Sequence, residues 1–232
     1  MRAIWAAVVA VALTGCVQPI AVSQPVTAVT LQAAPPAPAN FAAVVARVEP
    51  VAEAMCRRQS LAMPCNFRIV IDDRPGMPPN AFQTLDRAGR PILGFTLALI
   101  ATARNADELA FVIGHEAAHH IAGHIPQRAE NAMSGALMGG ILAAAAGADQ
   151  AGIDEAQQMG AMLAARQFSK DFELEADSIG TEIALRAGFD PIRGSAFFDR
   201  LPDPGDQFLG SHPANAQRKA AVRAAVARLT GG

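Results

Sequence analysis

The sequence predicts an α+β fold that is mainly helical, with a small antiparallel sheet beside one histidine-bearing helix. Three observations carry that expectation. Apolar residues recur at helical spacing over Phe41 to Gln59 and again near the C-terminus. Two short runs, Phe67 to Ile71 and Pro91 to Thr96, read as strands. A helix with a capping residue at Asn105 follows them and runs to about Gly123.

The 232-residue chain opens on a segment unlike the rest. Arg2 precedes an unbroken apolar run, Ala3 to Leu13, too short for a bilayer span of about 20 residues and suited to the apolar region of an export signal. The run ends in Leu13-Thr14-Gly15-Cys16, which resembles the bacterial lipoprotein cleavage box. The expectation is that residues 1–15 are removed and that Cys16 is lipidated, which anchors the protein to a membrane without spanning it. Val17 is not the aspartate that holds many lipoproteins at the inner membrane, so the expected place is the periplasm, at the outer membrane. Residues 16–40 carry Pro19, Pro25, Pro35, Pro36 and Pro38 and no charged residue, the composition of an extended tether. Residues 41–232 are long enough for one domain with its own core. A net charge of −2 without a basic stripe excludes nucleic acid as the partner.

Within that domain, Val44, Val45, Val48, Val51, Ala52 and Met55 define the first helix, with a kink expected at Pro50. Cys56 and Cys65 are expected to bridge in an oxidising compartment, tying this helix to the next strand; two buried thiols are the alternative. Asp72-Asp73-Arg74-Pro75-Gly76 supplies turn chemistry after the first strand. Leu97 to Arg104 reads as a short helix. Asp107 and Glu108 then fall in the first turn after Asn105, where the helix dipole favours acids. Ala132 to Gly147 is apolar and rich in Ala and Gly, and reads as a buried hairpin segment rather than a membrane-facing one. One long helix is expected over Asp154 to Ala187. The last helix, Ala214 to Leu229, places Arg218, Lys219, Arg223 and Arg228 on its polar side.

The chemistry concentrates in Gly114-His115-Glu116-Ala117-Ala118-His119-His120. Histidines at i and i+4 stack on one helix face, so both imidazoles reach one ion. Zinc takes neutral imidazole nitrogen and leaves a position open for water. Glu116 is angled toward the same pocket, where it can act as a base. With five histidines in the chain, chance yields this pattern roughly once in two hundred such chains. The apolar neighbours Phe111, Val112, Ile113, Ala117 and Ala118 imply burial, and a buried ionisable cluster needs partners. A third ligand must come from elsewhere. His124 is one candidate, although a metzincin would need glycine at 122 and histidine at 125, where Ala122 and Ile125 stand. The other is Glu173-Leu174-Glu175-Ala176-Asp177, in which Glu173 and Asp177 share a helix face. One carboxylate there can bind the metal while the other holds a ligating histidine. Glu175 reads as solvated, and His120 and His124 as structural.

The stretch Asn105 to His119, followed by Glu173 to Asp177, resembles the HtpX and CAAX prenyl endopeptidase family of gluzincins. Asn80-Ala81-Phe82, Ser211-His212-Pro213 and Arg218 match further segments of that family, so the likeness covers roughly Ile69 to Arg218. It implies a zincin-type metallopeptidase domain holding one zinc ion per chain. His115, His119 and Glu173 would be its ligands, Glu116 the general base and Asp177 the supporting aspartate. His212 would pack structurally, ligate zinc and block the site, or donate to the oxyanion. Leu85-Asp86-Arg87-Ala88-Gly89 departs from the family's Pro-Gly-Gly-like turn, and the membrane-spanning helices of HtpX are missing. The expected function is zinc-dependent hydrolysis of peptide bonds in misfolded or envelope polypeptides. A substrate strand would add near Ile92 to Thr96. The alternative is a latent zinc-bearing chaperone or binding lipoprotein of the outer membrane.

Overall fold

The computed structural model describes residues 39–59, 63–167, 169–201 and 213–231. Helix α1 (Ala39–Gln59) buries Phe41, Val44, Val48, Ala52, Met55 and Cys56, a single stripe at three- and four-residue spacing. It passes through Pro50 as one element, with that proline on the exposed side. Cys56 is disulfide-bonded to Cys65, with the two Cα atoms 5.6 Å apart. The bridge leads the chain from α1 into the sheet.

Three strands form that sheet: β1 (Arg68–Asp72), β2 (Ala81–Leu85) and β3 (Pro91–Thr96), in the order β1-β3-β2. The pair β2–β3 is antiparallel, but β1 and β3 are parallel, so the small sheet is mixed rather than antiparallel throughout. Burial accounts for the order. Leu93, Gly94, Phe95 and Thr96 of β3 are buried, whereas every residue of β1 is half-buried and β2 has none that is buried. The most apolar strand therefore takes the centre and the other two its edges. A hairpin turn at Asp86 to Arg90 returns β2 into β3. The Asp86 carboxylate accepts the backbone N–H groups of Ala88 and Arg90, each at 2.9 Å. Gly89 takes the left-handed conformation there, with φ of 79°.

Thr96 ends β3 and caps α2 (Leu97–Thr102), its hydroxyl accepting the Leu99 N–H at 3.2 Å. Helix α3 (Ala106–Ile121) starts at Asn105, whose side-chain oxygen accepts from the N–H groups of Asp107 and Glu108, both at 3.0 Å. The buried carboxylates of Asp107 and Glu108 pair with Arg193 and Arg200. These pairs pin α7 (Pro191–Gly194) and a following 3-10 turn (Ser195–Arg200) against the start of α3.

After α3 the chain turns at Gly123, with φ of 71°, into α4 (His124–Ala145). Helix α5 (Gln150–Gln167) packs back along α4, and α6 (Ser169–Arg186) lies against α3. The helical stretch expected over Asp154 to Ala187 is described as α5 and α6, on either side of residue 168. They have different packing partners, which a common apolar period does not reveal. The glycines of the α4–α5 hairpin allow backbone contact: Gly135 faces the carbonyl of Gly160, and Gly139 that of Ala156. The expectation of a buried hairpin is not met, since Met133, Leu137 and Leu142 are 72, 64 and 65 % exposed on its outer side. No helix among the described residues is long and apolar enough to cross a membrane. Helix α8 (Asn215–Thr230) closes the domain against α6.

Candidate metal centre

Helices α3 and α6 cross at two glycines. A Cβ on Gly114 would lie 2.9 Å from the carbonyl oxygen of Gly180, and one on Gly180 would lie 2.8 Å from the amide nitrogen of His115. Only hydrogen at both positions lets the backbones approach this closely, and the approach sets His115 and His119 against Glu173 and Asp177.

The three side chains then converge. His115 Nε2 and His119 Nε2 are 3.1 Å apart. Glu173 reaches His115 Nε2 with Oε2 and His119 Nε2 with Oε1, each at 3.5 Å. One ligand atom from each of the three residues lies within 4.8 Å of the other two. Donors held at about 2.0–2.2 Å around a tetrahedral ion stand about 3.3 Å from one another. Two imidazoles and one carboxylate at this spacing therefore fit a metal ion of zinc's size. Burial opposes a charge on His115, yet hydrogen bonds to Asp177 and Glu173 push its pKa up to about 10. Burial and the neighbouring His115 push His119 down to about 3. The two rings are thus driven apart, His115 toward the charged form and His119 toward the neutral one.

Asp177, fully buried, sits behind the first histidine, with Oδ1 2.9 Å from His115 Nδ1. Arg218 of α8 grips the same carboxylate with two bonds, Nε to Oδ2 at 2.8 Å and Nη2 to Oδ1 at 2.6 Å. Its guanidinium stacks 4.0 Å from the ring centre of Phe198 and also lies 3.4 Å from Glu173 Oε2. A cavity of about 360 Å³ opens over the cluster. Glu116 lines it, as do Asn80, Ala81 and Gln83 at the start of the edge strand β2.

The family model for Peptidase family M48 matches residues 39–226. The chain belongs to peptidase family M48. Two relatives are similar to the chain over part of its length. The Beta-barrel assembly-enhancing protease of Escherichia coli (strain K12) is 32 % identical over 142 residues, covering 54 % of this chain and 28 % of that protein. The Mitochondrial metalloendopeptidase OMA1 of Saccharomyces cerevisiae is 30 % identical over 162 residues, covering 64 % of this chain and 44 % of that protein. The chain thus spans less than half the length of either relative.

Of the residues singled out from sequence, His115, Glu116, His119, Glu173 and Arg218 line this M48 cavity, and Asp177 lies buried behind His115. Cys16 and His212 lie outside the described residues. His120 has the structural role expected, its Nε2 bonding the carbonyl of Pro64 at 2.8 Å, next to the Cys65 bridge. The expectation of an added substrate strand at Ile92 to Thr96 is corrected: β3 is paired on both sides and offers no edge. Of the two edge strands, β2 is the one that lines the cavity, and sequence reading passed over it because Ala81 to Leu85 is short and only partly apolar. Also missed were Phe111, Phe197 and Phe198 as cavity walls and the placement of His124 beside His119. His124 follows His119 by five residues across a helix break, so no helical-face argument could have found it.

Proposed function

We propose that this M48 domain is a zinc-dependent endopeptidase in which His115, His119 and Glu173 hold one zinc ion and Glu116 is the general base. The observation that carries the reading is the convergence of two imidazoles and a carboxylate at metal-ligand spacing, beside a cavity lined by Glu116. When bound, zinc supplies Lewis-acid polarisation of a carbonyl and a more acidic water. Glu116 takes the proton from the attacking water and returns it to the leaving amine. Asp177 holds His115 through Nδ1, which keeps Nε2 directed at the ion. Arg218 neutralises Asp177 and fixes its orientation.

Substrate binding is assigned to the β2 edge. The Thr96 N–H donates to the Asn80 carbonyl at 3.0 Å. In an antiparallel pair the backbone groups of successive residues alternate between the partner strand and the opposite side. Those of Ala81 and Gln83 therefore face away from β3, free to pair with an extended polypeptide. Such backbone pairing tolerates many sequences and suits misfolded or envelope polypeptides. The site of action we propose is the periplasm, with the domain lipid-anchored through Cys16 at the outer membrane. The deciding experiment digests an unfolded protein with wild type and Glu116→Gln and measures bound zinc in both. The variant should keep its zinc and lose cleavage by at least about a hundredfold; retained proteolysis by Glu116→Gln would sink the assignment.

A further inference from the structure

The two histidines of the cluster are held from behind in different ways. His115 Nδ1 meets a buried carboxylate, Asp177. His119 Nδ1 instead lies 2.8 Å from Nδ1 of a third histidine, His124. That ring is buried, stacks on Phe172 with centroids 4.4 Å apart and an interplanar angle of 15°, and brings its Nε2 within 3.2 Å of Glu175 Oε2. Gly123 makes the arrangement possible, because its left-handed turn sends α4 back across the end of α3.

We propose that His124, set by Glu175 and Phe172, is a positioning residue that fixes the ring of His119 toward the metal. This rests on the reading of His115, His119 and Glu173 as the ligand set. Proton placement follows from the chemistry of the three groups. A histidine that binds metal through Nε2 carries its proton on Nδ1, so His119 Nδ1–H must donate. His124 Nδ1 must then accept, which places the proton of His124 on Nε2. Glu175 is the acceptor for that proton. Each donor meets an acceptor along the row, and no other neutral arrangement leaves His119 Nε2 free for the ion. Glu175 lies exposed to solvent, as read from the sequence. Its side chain is 54 % exposed, yet one oxygen selects the tautomer of a buried ring.

The test measures zinc affinity of the full chain by competition with a chelating indicator, together with the melting temperature of the metal-free protein. His124→Phe preserves the stacking on Phe172 and removes the acceptor. His124→Asn replaces Nδ1 with an amide oxygen at a similar reach. Glu175→Ala alters only a half-exposed group and serves even where His124→Phe does not fold. His124→Phe should weaken zinc binding about tenfold to a hundredfold, His124→Asn should recover most of that loss, and Glu175→Ala should weaken binding several-fold. Zinc affinity within twofold of wild type in folded His124→Phe, or in Glu175→Ala, overturns the inference. Should His119→Ala and Glu173→Ala also leave zinc binding intact, the ligand set itself fails. Loss of binding in those two with none in the His124 and Glu175 variants overturns the positioning role alone.

Discussion

Asp177 carries two duties at once. Its carboxylate accepts from His115 and pairs with Arg218 while fully shielded from water. Removing one member of a buried ion pair leaves the other charge without compensation, which costs about 3–5 kcal/mol. Removing a carboxylate behind a metal-binding histidine typically weakens metal binding about tenfold to a hundredfold. Asp177→Asn preserves shape and separates these effects poorly in a melting curve alone. It is therefore expected to lower both the denaturant stability of the metal-free protein and the zinc affinity measured against a chelator. A normal zinc affinity in that variant would limit Asp177 to a stabilising role. Glu175, by contrast, is half-exposed, so its loss should be felt at the metal and scarcely in stability.

At the level of elements, the site depends on how closely α3 and α6 approach. The Gly114–Gly180 crossing has no room for a methyl group beside the His115 backbone. Gly180→Ala must push the helices apart or distort them, an overpacking cost of about 1–3 kcal/mol. Because Glu173 and Asp177 ride on the displaced helix, zinc affinity should fall as well, although position 180 touches no ligand atom. Chemical denaturation and chelator competition on the same preparation check this, and unchanged values in both would show that the crossing has slack. The β2–β3 hairpin is the second element that matters. The Thr96 hydroxyl accepts from the Asn80 N–H at 2.9 Å and donates to the Pro78 carbonyl at 3.1 Å. This anchors the start of the edge strand at the rim of the cavity.

For the molecule as a whole, the Cys56–Cys65 bridge ties α1 to the sheet, and His120 holds the Pro64 carbonyl beside it. The disulfide and the metal helix are therefore connected through the core rather than through the site. A bridge of this kind agrees with an exported protein, since oxidising compartments allow it to persist. On the proposed lipid anchoring, Cys16→Ala should move the protein from the membrane fraction to the soluble periplasmic fraction and abolish labelling by radioactive fatty acid. Unchanged membrane association in that variant would reject the anchor. The exposed apolar side of the α4–α5 hairpin is a separate surface, built from Met133, Leu137, Ile141 and Leu142.

Local chemistry made part of this protein legible from its sequence. The i, i+4 spacing of His115 and His119, the cap at Asn105 and the stripe along α1 are short-range patterns that a helix turns directly into faces. Their shared helix face made Glu173 and Asp177 candidates, and the family resemblance assigned their roles and added Arg218 from far along the chain. Tertiary structure decided what depends on how elements meet. It set β3 rather than β2 at the centre of a mixed sheet, because burial on both sides outweighed order in the chain. It gave the two parts of the long helical stretch, α5 and α6, different packing partners. It also returned His124 to His119 through one left-handed glycine, joining residues whose spacing matches no regular period. The helix with His115, Glu116 and His119 is thus written in the sequence, whereas the frame that orients it arises only when α3, α4, α6 and α8 close around it.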